Sequence, residues 1–164
     1  MRGHAVECAA AQRVPPGRVD PTEGLGNGGK RHVGWGEPMD IIGSGMDAME
    51  IQRIADSIER YGDRLLGHVF TEGEIAYCRR KRDFASSFAA RFAAKEAAMK
   101  ALGTGFSRGV YWQGIEVVRH HGPPQLQFHG GALERFKALG ATRSLLTLTH
   151  SRELSIAHVL LMRD

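Results

Sequence analysis

Residues 84–102 constrain this chain more than any other stretch. The run is rich in alanine, carries Phe84, Phe88, Phe92 and Met99 at helical spacing, and is followed at once by Gly103. Alanine is the strongest helix former, and a glycine just past the last periodic residue ends a helix. The spacing therefore predicts one long helix from about Phe84 to Leu102. Its lining of Ala and Phe implies that much of it is buried, so the charged Glu96 and Lys100 within it need a partner or a purpose.

Other elements arrange themselves around that helix. Asp40-Ile41-Ile42-Gly43-Ser44-Gly45-Met46-Asp47 reads as a short glycine-containing strand ending on an acid. A helix over 48–61 follows, with Ile51, Ile54, Ile58 and Tyr61 on one stripe and Gly62 as its stop. Thr71-Glu72-Gly73-Glu74 is a capping-box pattern opening a second helix through about Arg82. Beyond Gly103 the period changes. Ile115–Val118 and Gln125–Phe128 flank His121-Gly122-Pro123-Pro124, a hairpin signal. A short helix over about 132–139 stops at Gly140, and Ser144–His150 and Ser155–Leu161 read as two more strands. Five short strands and four helices, helix-rich first and hairpin-rich later, make the fold class α+β.

Residues 1–38 are of another kind. They hold 8 of the 21 glycines and 4 of the 6 prolines, without a period of 2 or 3.6. Such composition cannot bury enough apolar surface to offset chain entropy, so 1–38 is expected to be a disordered extension before a domain over 39–164. Neither a secretory signal nor a transit peptide fits, because Glu7 precedes a very short apolar run and four acids sit among five bases.

The 164 residues suffice for one domain with a real core, and no apolar run approaches the roughly 18 residues of a membrane span. Two cysteines, Cys8 and Cys78, exclude a disulfide scaffold and a four-thiolate zinc site, and the expected compartment is the cytoplasm. The net charge of +4 suits acidic partners such as phosphates, nucleic acid or an acidic protein.

Three groups of residues could carry chemistry. Asp47 could project from a strand end to bind a hard cation, or cap the helix starting near Ala48. Glu96 and Lys100, one turn apart, could be a surface ion pair, or a metal-binding carboxylate beside a cation that steadies phosphate. Gly103-Thr104-Gly105 could admit a phosphate close to the backbone, or simply cap the helix. The run Arg79-Arg80-Lys81-Arg82 reads as a solvated helix end, and neither a zinc constellation nor a Ser-His-Asp elbow is present.

Taken together, Ile41-Ile42-Gly43-Ser44-Gly45-Met46-Asp47 and Arg91-Phe92-Ala93-Ala94-Lys95-Glu96-Ala97-Ala98-Met99-Lys100-Ala101-Leu102-Gly103-Thr104-Gly105 resemble the two signature motifs of the holo-[acyl-carrier-protein] synthase family. That family belongs to the 4′-phosphopantetheinyl transferase superfamily. Phe70-Thr71-Glu72 with Glu74, and Leu148-Thr149-His150-Ser151, are similar to it as well. The resemblance runs over about 40–162, with Ser44 and Met46 as less usual fillings of the first motif.

The resemblance implies a 4′-phosphopantetheinyl transferase-like fold, an antiparallel-rich sheet packed by a long helix. It implies transfer of phosphopantetheine from coenzyme A to a serine of apo-acyl-carrier protein, releasing adenosine 3′,5′-bisphosphate in support of fatty acid biosynthesis. It assigns Asp47 and Glu96 as Mg²⁺ ligands and Glu96 and Lys100 as catalytic, with the serine proton passing to Glu96 or to water at the metal. Arg91, Lys100, Gly103, Thr104, Gly105 and His150 would lie around the coenzyme, bound between adjacent subunits of a homotrimer. Arg53 and Arg60 share one face of the first helix, opposite its isoleucines, and form the expected docking face for an acidic carrier protein. No nucleic-acid or membrane partner is expected on this reading. The alternatives are a non-catalytic nucleic-acid-binding module and a metal-dependent phosphodiesterase using Asp47, Glu96 and Lys100.

Overall fold

In the computed structural model, residues 40–119 and 122–164 are described. The expected extension over 1–38 lies outside them.

The long helix α3 spans Phe84–Leu102, as the sequence predicts. Asp83 caps its start by accepting from Ser86 N at 3.0 Å, and Gly103 ends it in the left-handed conformation at φ 68°. The chain enters through β1, Asp40–Glu50, and α1, Ile51–Val69. Then come α2, Glu72–Arg79, and after α3 a 3₁₀ turn at Trp112–Gly114. The hairpin β2, Ile115–Val118, and β3, Gln125–Phe128, forms antiparallel with Ile115 opposite Phe128. Helix α4, Gly130–Ala138, and the strands β4, Arg143–His150, and β5, Leu154–Arg163, complete the fold.

A three-stranded antiparallel sheet runs in the order β1-β5-β4, so the first strand pairs with the last. One face of it packs on α3. Ser155, Ala157, Val159 and Leu161 alternate into that interface as a strand of period 2 requires, against Ala94, Ala97, Ala98 and Ala101 of the helix. A second cluster joins α1 and α2 to the first half of α3 through Ile54, Leu66, Phe70, Cys78 and Phe88. Burial raises the Cys78 thiol to a pKa of about 11, so it stays protonated at neutral pH.

Four expectations need correction. The first helix begins at Ile51 rather than Ala48, because β1 keeps pairing with β5 up to Glu50 opposite Leu154. Gly62 is a kink at φ 54° rather than a stop, and the helix resumes because Leu66 and Val69 still have a core to enter. Tyr61 and Phe84, read as core-facing, are 53% and 45% exposed. In addition, α2 ends at Arg79 and not near Arg82.

Candidate active site

The site begins with two glycines. A Cβ on Gly45 would fall on the carbonyl oxygen of Ala97 and 2.7 Å from the nitrogen of Ala101, and one on Gly43 would fall on the Ala101 carbonyl. The bare backbone of β1 therefore lies directly on α3, closer than any side chain allows. Asp47 comes two residues after Gly45 on the same strand face and is delivered to the flank of the helix. It sits inside β1, and the N-terminus of α1 belongs to Glu50, whose side chain makes no cap bond. The reading of Asp47 as a helix cap is thereby corrected.

Lys100 reaches across this crossing. Its Nζ donates to Asp47 Oδ1 at 2.7 Å and to the carbonyl of Met46 at 3.0 Å. The Asp47 side chain is only 17% exposed, so the pair is partly withdrawn from water. Glu96 lies one turn back on the same side of α3. Its Oε1 accepts the indole N–H of Trp112 at 2.5 Å, so Glu96 and Lys100 are not the surface pair their spacing allows. Lys100 thus ties Asp47 to the flank of α3 where β1 crosses it, and Glu96 stands one turn back on the same helix.

The helix is anchored behind this cluster by a buried ion pair. Lys95 Nζ lies 2.8 Å from Glu74 Oε2, with both side chains fully buried, and also donates to the carbonyls of Trp112, at 2.8 Å, and Ile115. Glu74 accepts from Thr71 N at 3.0 Å, the expected capping box, and from Val117 N at 2.9 Å. All three ammonium donors are satisfied, as a buried lysine requires. Burial pushes the Lys95 pKa below the usual lysine value, against the pull of Glu74.

Further back along α3, Arg91 and His150 share a cavity of about 440 Å³, with Tyr77, Lys81, Arg119 and Thr149 also on its wall. Arg91 is 5% exposed, its guanidinium stacks on the Tyr77 ring at 4.1 Å, and its Nε has no hydrogen-bond partner among the described residues. Burial pushes the Tyr77 phenol up, but Lys81, Arg91 and Arg119 outweigh it and hold its pKa below the usual tyrosine value. The Gly103–Gly105 loop is not part of this cavity. Arg91 and Gly103 are twelve helical steps apart, roughly 18 Å. Within one chain the expected coenzyme residues therefore fall into two groups.

A family model of the 4′-phosphopantetheinyl transferase superfamily matches residues 43–156, which take in most of β1, all of α3 and every residue just described. The chain belongs to that superfamily. It is 48% identical to a holo-[acyl-carrier-protein] synthase of Koribacter versatilis over 122 residues, 74% of this chain and 98% of the relative. Among solved structures it is similar to the holo-[acyl-carrier-protein] synthase of Neisseria meningitidis, with a TM-score of 0.68, 28% identity, and 74% and 98% of the two chains covered. The Helicobacter pylori holo-[acyl-carrier-protein] synthase in complex with coenzyme A gives a TM-score of 0.64 and 25% identity over 72% of this chain and 98% of that one. The α+β fold with an antiparallel sheet on a long helix is the fold of this superfamily, and the chain is a phosphopantetheinyl transferase.

The donor set suits a hard cation. Among the described residues no three His, Cys, Asp or Glu side chains group as a metal site. Asp47 and Glu96 each keep one carboxylate oxygen that makes no described hydrogen bond. A transferase of this superfamily handles a pyrophosphate, and Mg²⁺ takes few carboxylates and fills its shell with phosphate and water. Arg53 and Arg60 lie exposed along one groove of α1, which Glu50 and Asp56 also line. No helix among the described residues is long and apolar enough to cross a membrane.

Two residues packed around the site escaped the sequence reading. Lys95 had a signal: it falls in register with Phe88 and Leu102, seven residues to either side, on the buried stripe of α3. Trp112 had none, since it stands in an irregular segment and meets Glu96 only through tertiary structure.

Proposed function

We propose that this chain transfers 4′-phosphopantetheine from coenzyme A to a serine of an apo-acyl-carrier protein, with Mg²⁺ held by Asp47 and Glu96. The observation that carries the reading is the contact of Lys100 with Asp47 at 2.7 Å, 53 residues apart in sequence, with Glu96 one turn away. The solved relative with bound coenzyme A supports the same substrate here.

In this reaction the serine oxygen bonds to the β-phosphorus of the pyrophosphate, passing its hydroxyl proton to Glu96 or to water. The bond from that phosphorus to the bridging oxygen breaks, and adenosine 3′,5′-bisphosphate leaves with the electron pair. When bound, Mg²⁺ supplies charge neutralisation on the pyrophosphate oxygens. Asp47 and Glu96 contribute the negative charge that holds the cation. Lys100, half-exposed beside Asp47, contributes a point charge to the developing phosphate. The Arg91 and His150 cavity, with Lys81 and Arg119, offers a cationic pocket for another phosphate of the coenzyme. The Gly103-Thr104-Gly105 loop, beyond Lys100 at the other end of the helix, is its second contact.

A homotrimer accounts for the two separated groups, since a site between adjacent copies lets both face one coenzyme. The open side of the sheet supports assembly. Met46 is 63% and Leu145 52% exposed there, and Ile156 and Leu160 share that face. The cytoplasm, where carrier proteins receive their prosthetic group, is the compartment this activity needs.

The test is to incubate the full chain with coenzyme A, Mg²⁺ and apo-acyl-carrier protein, and to weigh the carrier. A mass gain of one phosphopantetheine on the carrier serine, with release of adenosine 3′,5′-bisphosphate, is expected. An unmodified carrier, with cleavage of a simple phosphodiester or binding of an oligonucleotide instead, would overturn the reading.

A further inference from the structure

Glu96 is held by a residue that belongs to neither signature motif. The Trp112 indole N–H donates to Glu96 Oε1 at 2.5 Å. The ring is fixed by neighbours, with Phe106 at 4.4 Å and Phe92 at 6.0 Å between centroids, and His68 edge-on at 5.6 Å. The main chain of Trp112 is fixed as well, since its carbonyl accepts from Lys95 at 2.8 Å. Lys95 is in turn locked by Glu74 in the core. A continuous set of contacts therefore runs from the cap of α2 through Lys95 and Trp112 to one oxygen of Glu96.

The chemistry of the donor matters. An indole N–H donates and never accepts, so it occupies one lone pair of the carboxylate without competing for a cation. Bonding one oxygen fixes the carboxylate plane and leaves Oε2 with no described partner. Packing alone does not call for this bond, because a phenyl ring would fill much of the same space and bury no N–H. We propose that Trp112 is the positioning residue of Glu96, its N–H setting which carboxylate oxygen is presented to the divalent cation. The inference rests on the reading of Glu96 as a metal ligand. Partners that orient metal ligands change metal affinity or activity by about 10–100-fold when removed.

Trp112→Phe keeps an aromatic ring and removes the donor. Replacement of Trp112 by its benzothiophene analogue, with sulfur in place of N–H, keeps the shape as well. Mn²⁺ is the probe, its binding in the presence of coenzyme A followed by the electron paramagnetic resonance of the free ion, a readout independent of turnover. Both changes should leave thermal unfolding close to that of the unaltered chain. Both should weaken Mn²⁺ binding about tenfold or more, and lower kcat similarly with KM for the carrier unchanged. Glu96→Gln is measured alongside. If Glu96→Gln weakens Mn²⁺ binding while the analogue-bearing chain stays within twofold of the unaltered one, Trp112 does not position Glu96. If Glu96→Gln itself binds Mn²⁺ normally, the metal reading of Glu96 fails and this inference falls with it.

Discussion

Neither Asp47 nor Glu96 caps a helix or fills the core, so removing either charge should leave the fold standing. Asp47→Asn and Glu96→Gln keep shape and lose the charge assigned to the cation. Each is expected to lower kcat on the order of 10³-fold, about 4 kcal/mol of transition-state stabilisation. Unfolding free energy should move by no more than about 1 kcal/mol, the scale of the partly exposed ion pair that Asp47 makes with Lys100. The double variant should be scarcely worse than either single, because residues serving one cation act as a unit. Steady-state kinetics on folded protein, over a magnesium titration, checks this. Near-normal magnesium-dependent turnover in either single variant would remove the shared-cation assignment.

At the level of elements, the crossing of β1 over α3 depends on glycine rather than on attraction. Gly45→Ala drives a methyl group into the Ala97 carbonyl and forces the strand away from the helix. Overpacking of this kind costs roughly 1–3 kcal/mol. Because Asp47 rides on the same strand, turnover should fall about 100-fold or more, as small misplacements of reacting groups do. Gly67→Ala is the control: a Cβ there meets nothing within 4 Å, so stability should hold or rise and activity persist. Thermal melts and turnover of the two variants decide the matter. The elements whose signals are local were legible in the sequence. The bounds of α3 follow from alanine and Gly103, and the β2–β3 hairpin from its turn residues. What local signals could not show was set by long-range pairing. The ladder to β5 carries β1 past Asp47 to Glu50, and the core under Leu66 and Val69 restarts α1 after Gly62. The site divides the same way: Asp47, Glu96 and Lys100 stood out by type and spacing, whereas Trp112 becomes visible only when the chain is folded.

For the molecule as a whole, charge on α1 should govern the encounter with an acidic carrier. Replacing Arg53 and Arg60 by Glu is expected to raise KM for the carrier about tenfold or more at low salt, with coenzyme binding little changed, because facing charges act mainly on association. An unchanged KM at low salt would remove these arginines from the docking face. A chain starting at Met39 should fold and turn over like the full chain, since the family match begins at Gly43; a large loss of melting temperature or activity would show that 1–38 is needed. The sheet's open face, with Met46 and Leu145 turned away from α3, has one more consequence. If only further copies of the chain cover that face, part of the free energy of folding is free energy of association. The melting temperature then becomes a function of protein concentration, rising as the sample is concentrated and falling on dilution. An enzyme built this way senses its own abundance: below the concentration at which copies meet, it loses its shared sites and part of its stability together.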